Sequence, residues 1–279
     1  MDIGYAIAFD ALAGLTVLGL GLVARRIVSG RARLGVQNLA EALVTAGHLL
    51  GSFLVVAAAL AGCVTGQDLV ADIAWTALFG GTGVVLLALM GRIGTELILG
   101  ARLGPEIARG NAAAGLAAAS HKLATGILIG SCLYGRDLGG FGISLCFFAL
   151  AQVTLHLFVI AFRALTVYGD REEILAENLA AALSYAGVTV ALGLIIGHAA
   201  DGTFVGLEAS LRAYAVSLAG SLALYPVRQI VVGAILVGGG LRLRGGRLDD
   251  GIAREKSTGL GVLEAAAYLA TALVWARLA

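Results

Sequence analysis

The sequence predicts an all-α, polytopic membrane protein in which eight transmembrane helices form four repeated helical hairpins. Three observations lead to this fold class. Hydrophobic residues make up 59% of the 279 residues and charged residues only 13%, whereas soluble domains carry about 25% charged residues. Apolar runs of about 20 residues, the length that crosses a bilayer, recur along the chain. One unit, an apolar helix followed by a charged bend and a second apolar helix, occurs four times.

The predicted spans follow the apolar runs in order. They cover residues 5–24, 38–62, 72–94, 111–133, 141–165, 178–199, 210–238 and 257–276. We expect the first to be retained, because a cleavable signal peptide needs a basic segment that Met1-Asp2 does not supply. Glycine is abundant (41) and proline scarce (2), which favours closely packed membrane helices.

The second helix of each hairpin has a recurrent start. Three of these helices open on an asparagine, and the fourth has a lysine at the corresponding place: Asn38, Asn111, Asn178 and Lys256. One interpretation is N-capping, because an asparagine side chain accepts a hydrogen bond from a free amide of the first turn. Glu41 adds the spacing of a capping box. The other interpretation is an anion site, formed by four helix N-termini around one axis.

The four hairpins also divide into two similar halves. Repeats one and three share N-L-A-x-A-L, and repeats two and four share I-A-R. We therefore predict two four-helix membrane units, residues 1–138 and 139–279. Because each unit has an even number of spans, both insert in the same sense, with a symmetry axis along the membrane normal.

Basic residues are concentrated in the bends that follow the odd-numbered helices. These bends contain Arg25, Arg26, Arg31, Arg33, Arg92, Arg102, Arg109, Arg163, Arg171, Arg242, Arg244, Arg247, Arg254 and Lys256. The opposite connections contain only Arg136, Arg212 and Arg277. The positive-inside rule then places the bends in the cytoplasm and both termini outside it.

Each bend ends in a polar stretch in which a carboxylate is followed by Ile-Ala or Ile-Leu, as in G-P-E-I-A-R-G. This pattern predicts a short interfacial helix. Either the bends form a docking surface for a cytoplasmic partner, or they are solvated connections that fix the orientation.

The glycine-asparagine-alanine helix start, the carboxylate-Ile-Ala before it and the four-helix unit resemble the YjfL-like bacterial membrane family, domain of unknown function 350. The resemblance covers essentially the whole chain as two tandem copies, and the fourth repeat departs from the pattern at Lys256. It implies a multi-pass protein of the bacterial inner membrane without established chemistry. It also implies a link to envelope-stress and polyamine-related gene groups.

Two ionisable residues are predicted to meet inside the membrane. Arg228 follows Pro226, which should kink the seventh helix and free a backbone carbonyl. Glu264 lies in the eighth helix at a similar predicted depth, near the middle of the bilayer. The two are expected to form either a structural ion pair or a gating and substrate-binding pair, because charges in hydrocarbon require a partner or a cavity.

Two histidines form a second group. His48 and His121 each lie ten residues after the asparagine of their repeat, and Lys122 adjoins the second. At equal depth they could be independent core residues, share a proton, bind a metal, or ligate a b-type haem. His156 and His198 are weaker signals.

Enzyme chemistry is not indicated, because the sequence lacks a nucleotide-binding loop, H-E-x-x-H and G-x-S-x-G. The cysteines Cys63, Cys132 and Cys146 have no metal-site spacing, so no cofactor or metal is predicted, and no basic stripe indicates nucleic acid. The expected partners are the lipid bilayer, further copies in a homo-oligomer, and a cytoplasmic protein at the bends. The favoured function is a channel or transporter for an ion or small polar solute, lined by Arg228, Glu264, His48, His121 and Lys122. A membrane scaffold for an envelope-stress partner is the alternative, and a haem redox protein the third.

Overall fold

The computed structural model describes residues 3–29, 36–202, 204–242 and 244–278. The α-helices are α1 Ile3–Ser29, α2 Leu39–Cys63, α3 Leu69–Leu99, α4 Leu103–Ala108, α5 Ala112–Ser131, α6 Leu138–Arg163, α7 Asp170–Leu175, α8 Leu179–Ala200, α9 Leu207–Ser217, α10 Leu224–Val227, α11 Arg247–Ala253 and α12 Thr258–Leu278. Arg31 and Arg33 of the first bend lie outside the described residues. The structure confirms the all-helical class.

Seven stretches of the described chain are long and apolar enough to cross a membrane. They are Leu39–Cys63, Leu69–Leu99, Ala112–Ser131, Leu138–Arg163, Leu179–Ala200, Leu207–Leu236 and Thr258–Leu278. The remaining predicted span, 5–24, coincides with α1, where the apolar stretch is Ala13–Val23. The protein is therefore a multi-pass membrane protein, and the count of eight spans stays a prediction.

The short helices predicted in the bends are present. Helices α4, α7 and α11 directly precede α5, α8 and α12, so all three lie at the end of the bundle where those long helices begin. We call this the short-helix end.

The second helices of the four hairpins form a central row in the order α2, α5, α8 and α12. Helix α3 packs against α2 and α5, and α6 packs chiefly against α8. The two inner helices of the row are the most enclosed, since 78% of the apolar window of α5 and of α8 is buried. The core therefore lies along this row.

Small residues allow neighbouring helices of the row to approach closely. A side chain on Gly115 would collide with the backbone of Ala40, and one on Gly47 with that of Ala119. The same contacts recur between repeats three and four, where Gly261 faces Ala180 and Gly187 faces Ala265. The α2–α5 and α8–α12 interfaces therefore use one register, as expected for parallel repeats packed through small residues.

The seventh span is irregular around Pro226. A 3-10 turn, Leu218–Ala223, precedes α10, and a π-helix, Arg228–Leu236, follows it. Proline cannot donate a helical hydrogen bond, and π-helical segments are frequent at functional sites. This interruption places Arg228 at the first position of the π-helix.

Candidate functional site

The asparagines predicted at the helix starts are N-caps that also join consecutive repeats. The Asn111 Oδ1 atom accepts from the Ala114 amide at 3.1 Å. Its Nδ2 donates to the main-chain oxygen of Ile174, at the end of α7 in the next repeat, at 2.9 Å. Nδ2 also donates to the Glu106 carboxylate at 2.9 Å. One side chain thus fixes its own helix start, its own short helix and the next short helix.

The other two asparagines repeat this arrangement. Asn38 caps α2 through the Glu41 amide and donates to Ile107 O at 3.2 Å. Asn178 caps α8 and donates to Ile252 O at 2.8 Å. Since the side chains and short helices occupy these helix starts, their geometry favours capping over the anion site that was the second interpretation.

Lys256 does not occupy the asparagine position, so that alignment was wrong by one residue. Helix α12 begins at Thr258, and Ser257 directly precedes it. Lys256 instead lies one residue before the residue that caps the helix, and it has a positive φ of 51°. Glu177 and Gly110 occupy the same place before Asn178 and Asn111, with φ values of 61° and 96°.

The predicted partners Arg228 and Glu264 are brought together in a larger group. Arg228 Nε donates to Glu264 Oε1 at 2.5 Å, and Tyr268 donates to the same oxygen at 3.0 Å. Arg228 also pairs with Asp249 of α11, and all three ionised side chains are fully buried. Among the described residues, neither Arg228 Nη1 nor Glu264 Oε2 has a hydrogen-bond partner.

A second buried ion pair lies beside the first. Arg163, at the end of α6, pairs with Asp170 of α7 and donates to Ser184 of α8 at 2.7 Å. Burial raises the pKa of the Asp170 carboxyl; Arg163 opposes this shift, and the neighbouring Glu264 adds to it. We call Arg163, Asp170, Arg228, Asp249 and Glu264 the acidic cluster, because it contains three carboxyl groups and two guanidinium groups.

The acidic cluster lies closer to the short-helix end than predicted. Glu264 is six residues after the start of α12, about 9 Å along its axis, whereas the middle of a bilayer core is about 15 Å from its edge. Asp249 belongs to a short helix. The acidic cluster therefore lies toward the short-helix end, and the depth of Arg228 and Glu264 in the bilayer stays a prediction.

His48 and His121 are both fully buried, but they face different helices. The Nε2 atom of His48 lies 3.2 Å from the main-chain oxygen of Gly21 in α1. His121 instead lies beside α6, where its ring centroid is 5.2 Å from that of His156. The hypothesis of a His48–His121 pair was therefore wrong, because the two rings point into different helix interfaces.

Lys122 is buried, with 7% of its surface exposed. Its side chain lies against α3, where a side chain on Gly91 would place its Cβ 3.0 Å from Nζ. The lysine therefore belongs to the same α3–α5 interface as His121.

Several residues of these sites escaped sequence-based reasoning. Asp170 and Asp249 were interpreted as parts of solvated bends, and Arg163 as an orientation signal. Gln152 offered no signal in the sequence. His156 was noted, but its pairing with His121 depends on how α5 and α6 pack.

Fold and sites together define a polytopic helical membrane protein with charged and imidazole groups buried between its helices. The family model described as Domain of Unknown Function (DUF350) matches residues 3–133 and again residues 137–278. The chain therefore belongs to this family, and the two matches confirm the tandem duplication.

One curated relative is the "UPF0719 transmembrane protein" of Aquifex aeolicus (strain VF5), which is 29% identical over 103 residues. The matched region is 36% of this chain and 38% of the relative, so it spans well under two thirds of that protein. No solved structure matches the chain.

Proposed function

We propose that this chain moves a small cation, either a proton or a small cationic solute, across the bacterial inner membrane, and that the acidic cluster binds it. In this proposal the protein is a channel or transporter and not an enzyme. The observation that carries it is the charge of the acidic cluster. Its three carboxyl groups and two guanidinium groups are each less than 10% exposed.

A buried excess of negative charge calls for a neutralising cation. Removing a charge from water costs several kcal/mol unless a partner compensates it, and two guanidiniums compensate only two of the three carboxylates. The raised pKa of Asp170 supports a proton as the simplest neutralising cation. Glu264 Oε2, without a hydrogen-bond partner among the described residues, offers the cation an oxygen ligand.

The orientation that we propose places the short-helix end in the cytoplasm and both termini outside, because the basic bends lie at that end. The cluster would then load or release its cation at the cytoplasmic side. We also propose that copies associate through the outer helices of the central row, α2 and α12. Large apolar side chains are exposed there, including Phe53 at 56% and Leu273 at 56%.

A scaffold for a cytoplasmic partner is the second candidate. It is favoured by the layer of short helices that the asparagines hold against the bundle. This layer exposes charged side chains, among them Arg171 and Arg254.

Reconstitution into lipid vesicles separates the two candidates. Vesicles with the purified protein, compared with empty vesicles, should pass protons, potassium or spermidine but not chloride. If vesicles stay tight to all four solutes while a cytoplasmic protein co-purifies in fixed stoichiometry, the transport proposal fails and the scaffold replaces it.

A further inference from the structure

A small cavity opens at the end of the bundle opposite the short-helix end. Its volume is about 90 Å³, and it lies between α6 and α9, where α5 and α8 end. Helix α5 has 20 residues, so at about 1.5 Å per residue the cavity is roughly 30 Å from the short-helix end. It is therefore a separate place from the acidic cluster.

Negative charge is concentrated around this cavity. Asp201, an exposed residue directly after α8, belongs to its lining. Ser131 and Ala200, the last residues of α5 and α8, line it as well. Because backbone dipoles add along a helix, each helix C-terminus acts as about half a negative charge. The described lining contains no lysine, arginine or histidine to balance these charges, so its electrostatics favour a cation.

Aromatic rings form part of the cavity wall. Tyr134, Phe147 and Phe204 all line it, and the ring centroid of Phe204 is 6.2 Å from that of Tyr134 and 6.2 Å from that of Phe147. The face of an aromatic ring attracts cations, and groups of such rings recognise organic ammonium ions. Apolar and cation-attracting surface are therefore combined in one lining.

We propose that this cavity binds a small alkylammonium group. Its three N–H donors would face the Asp201 carboxylate and the carbonyl ends of α5 and α8, and its carbon atoms would contact the rings. A cavity of about 150 Å³ holds benzene, which has six heavy atoms, so about 90 Å³ suits an ammonium group with two or three carbons. The site is independent of the cation transport proposed above.

Inorganic cations fit this lining less well than an organic one. Calcium takes six or more oxygen ligands, and magnesium keeps its waters unless phosphates or carboxylates replace them. The lining supplies one carboxylate, and the described residues contain no group of three or more His, Cys, Asp or Glu that could hold a metal. Only a ligand with carbon atoms gains from contact with Phe147 and Phe204.

Binding of ethylammonium to the purified full chain tests the site. In an uncharged detergent, ethylammonium chloride replaces sodium chloride at constant ionic strength, and saturation-transfer NMR follows the ligand. We expect saturable binding with a Kd of about 1 mM, near the limit for three heavy atoms, with transfer from aromatic protons to the ethyl group. Ethanol has as many heavy atoms but no charge, and it should not bind at these concentrations.

Variants identify the groups that hold the ligand. Asp201→Asn should weaken binding about fivefold, the size of a charge contact at an exposed site, and Phe204→Leu about twofold to fivefold. The Asp201 side chain does not cap α8, which uses the backbone amide there, so the variant should fold, as thermal unfolding will show. The matched control is Glu208→Gln, which changes an exposed carboxylate of α9 outside the lining and should keep the native Kd.

Four results would overturn the proposal. They are absence of saturable binding, equal binding of ethanol, a native Kd in both Asp201→Asn and Phe204→Leu, and equal weakening in Glu208→Gln. Any of them leaves the transport proposal untouched, because that proposal depends on vesicle flux and on Glu264.

The alkylammonium group has two possible sources, a lipid headgroup and a free amine, and nanodiscs distinguish them. If the source is a lipid, ethylammonium should bind in nanodiscs of glycerol-headgroup lipid and be displaced in nanodiscs of ethanolamine-headgroup lipid. If the source is a free amine, the Kd should be the same in both. Failure to bind in either kind of nanodisc would contradict the site itself.

Discussion

At the residue scale, the asparagines show how one side chain can serve two levels of structure. The sequence identifies Asn38, Asn111 and Asn178 as caps, because capping depends on local spacing alone. Their second bond, to the short helix of the next repeat, involves residues 63 to 74 positions away. No local pattern encodes such a pairing, so it emerges only from the structure.

Arg228 is the residue whose loss should be most damaging. Arg228→Leu strands both Asp249 and Glu264 in a buried site, and losing one partner of a buried pair typically costs about 3–5 kcal/mol. Glu264→Gln should cost much less, because Arg228 keeps Asp249 and the excess negative charge disappears. Thermal unfolding of the purified variants measures the difference. Equal losses in both variants would show that Arg228 does not hold the cluster together.

At the element scale, the central row depends on close contact between helix backbones. Gly47 and Gly62 both belong to α2 but differ in their surroundings. A Cβ on Gly47 would collide with the Ala119 backbone, whereas one on Gly62 meets no described atom within 4 Å. Replacing each glycine by alanine therefore distinguishes the effect of close packing, at Gly47, from the effect of helix propensity, at Gly62.

We expect Gly47→Ala to destabilise the protein by about 1–3 kcal/mol, the usual cost of overpacking. Gly62→Ala should be neutral or slightly stabilising, because alanine favours helix over glycine. Unfolding in detergent, followed by circular dichroism, gives both values. If both variants have the same free energy of unfolding as the native protein, close approach of α2 and α5 is not important for stability.

Helix positions were predictable from the sequence and helix pairings were not. Long apolar runs located α2, α5 and α8 within a few residues, because burial in lipid leaves a strong compositional signal. The partner of His121 was not predictable, since two histidines at equal register suggested a symmetric pair. The repeat symmetry is broken there by His156, which comes from the next hairpin. The burial of Asp249 was not predicted, because a carboxylate in a polar bend is expected to be solvated. Only the packing of α11 against the bundle buries it.

At the scale of the whole molecule, the fourth repeat differs from the first three. Each of the first three has an asparagine that holds the short helix of the next repeat, whereas Ser257 stands at the corresponding position before α12. The charged groups are also unevenly distributed, since the acidic cluster lies entirely in repeats three and four. A duplicated fold thus has one half that buries an excess of negative charge.

The central claim is that this excess charge binds the transported cation, and Glu264→Gln tests it most directly. The substitution preserves shape and removes one charge. Cation flux into vesicles should fall to the level of empty vesicles, while thermal stability is retained. The matched control Glu255→Gln changes an exposed carboxylate in the bend that precedes α12 and should keep native flux. Native flux in Glu264→Gln, or an equal loss in Glu255→Gln, would contradict a role for the acidic cluster in transport.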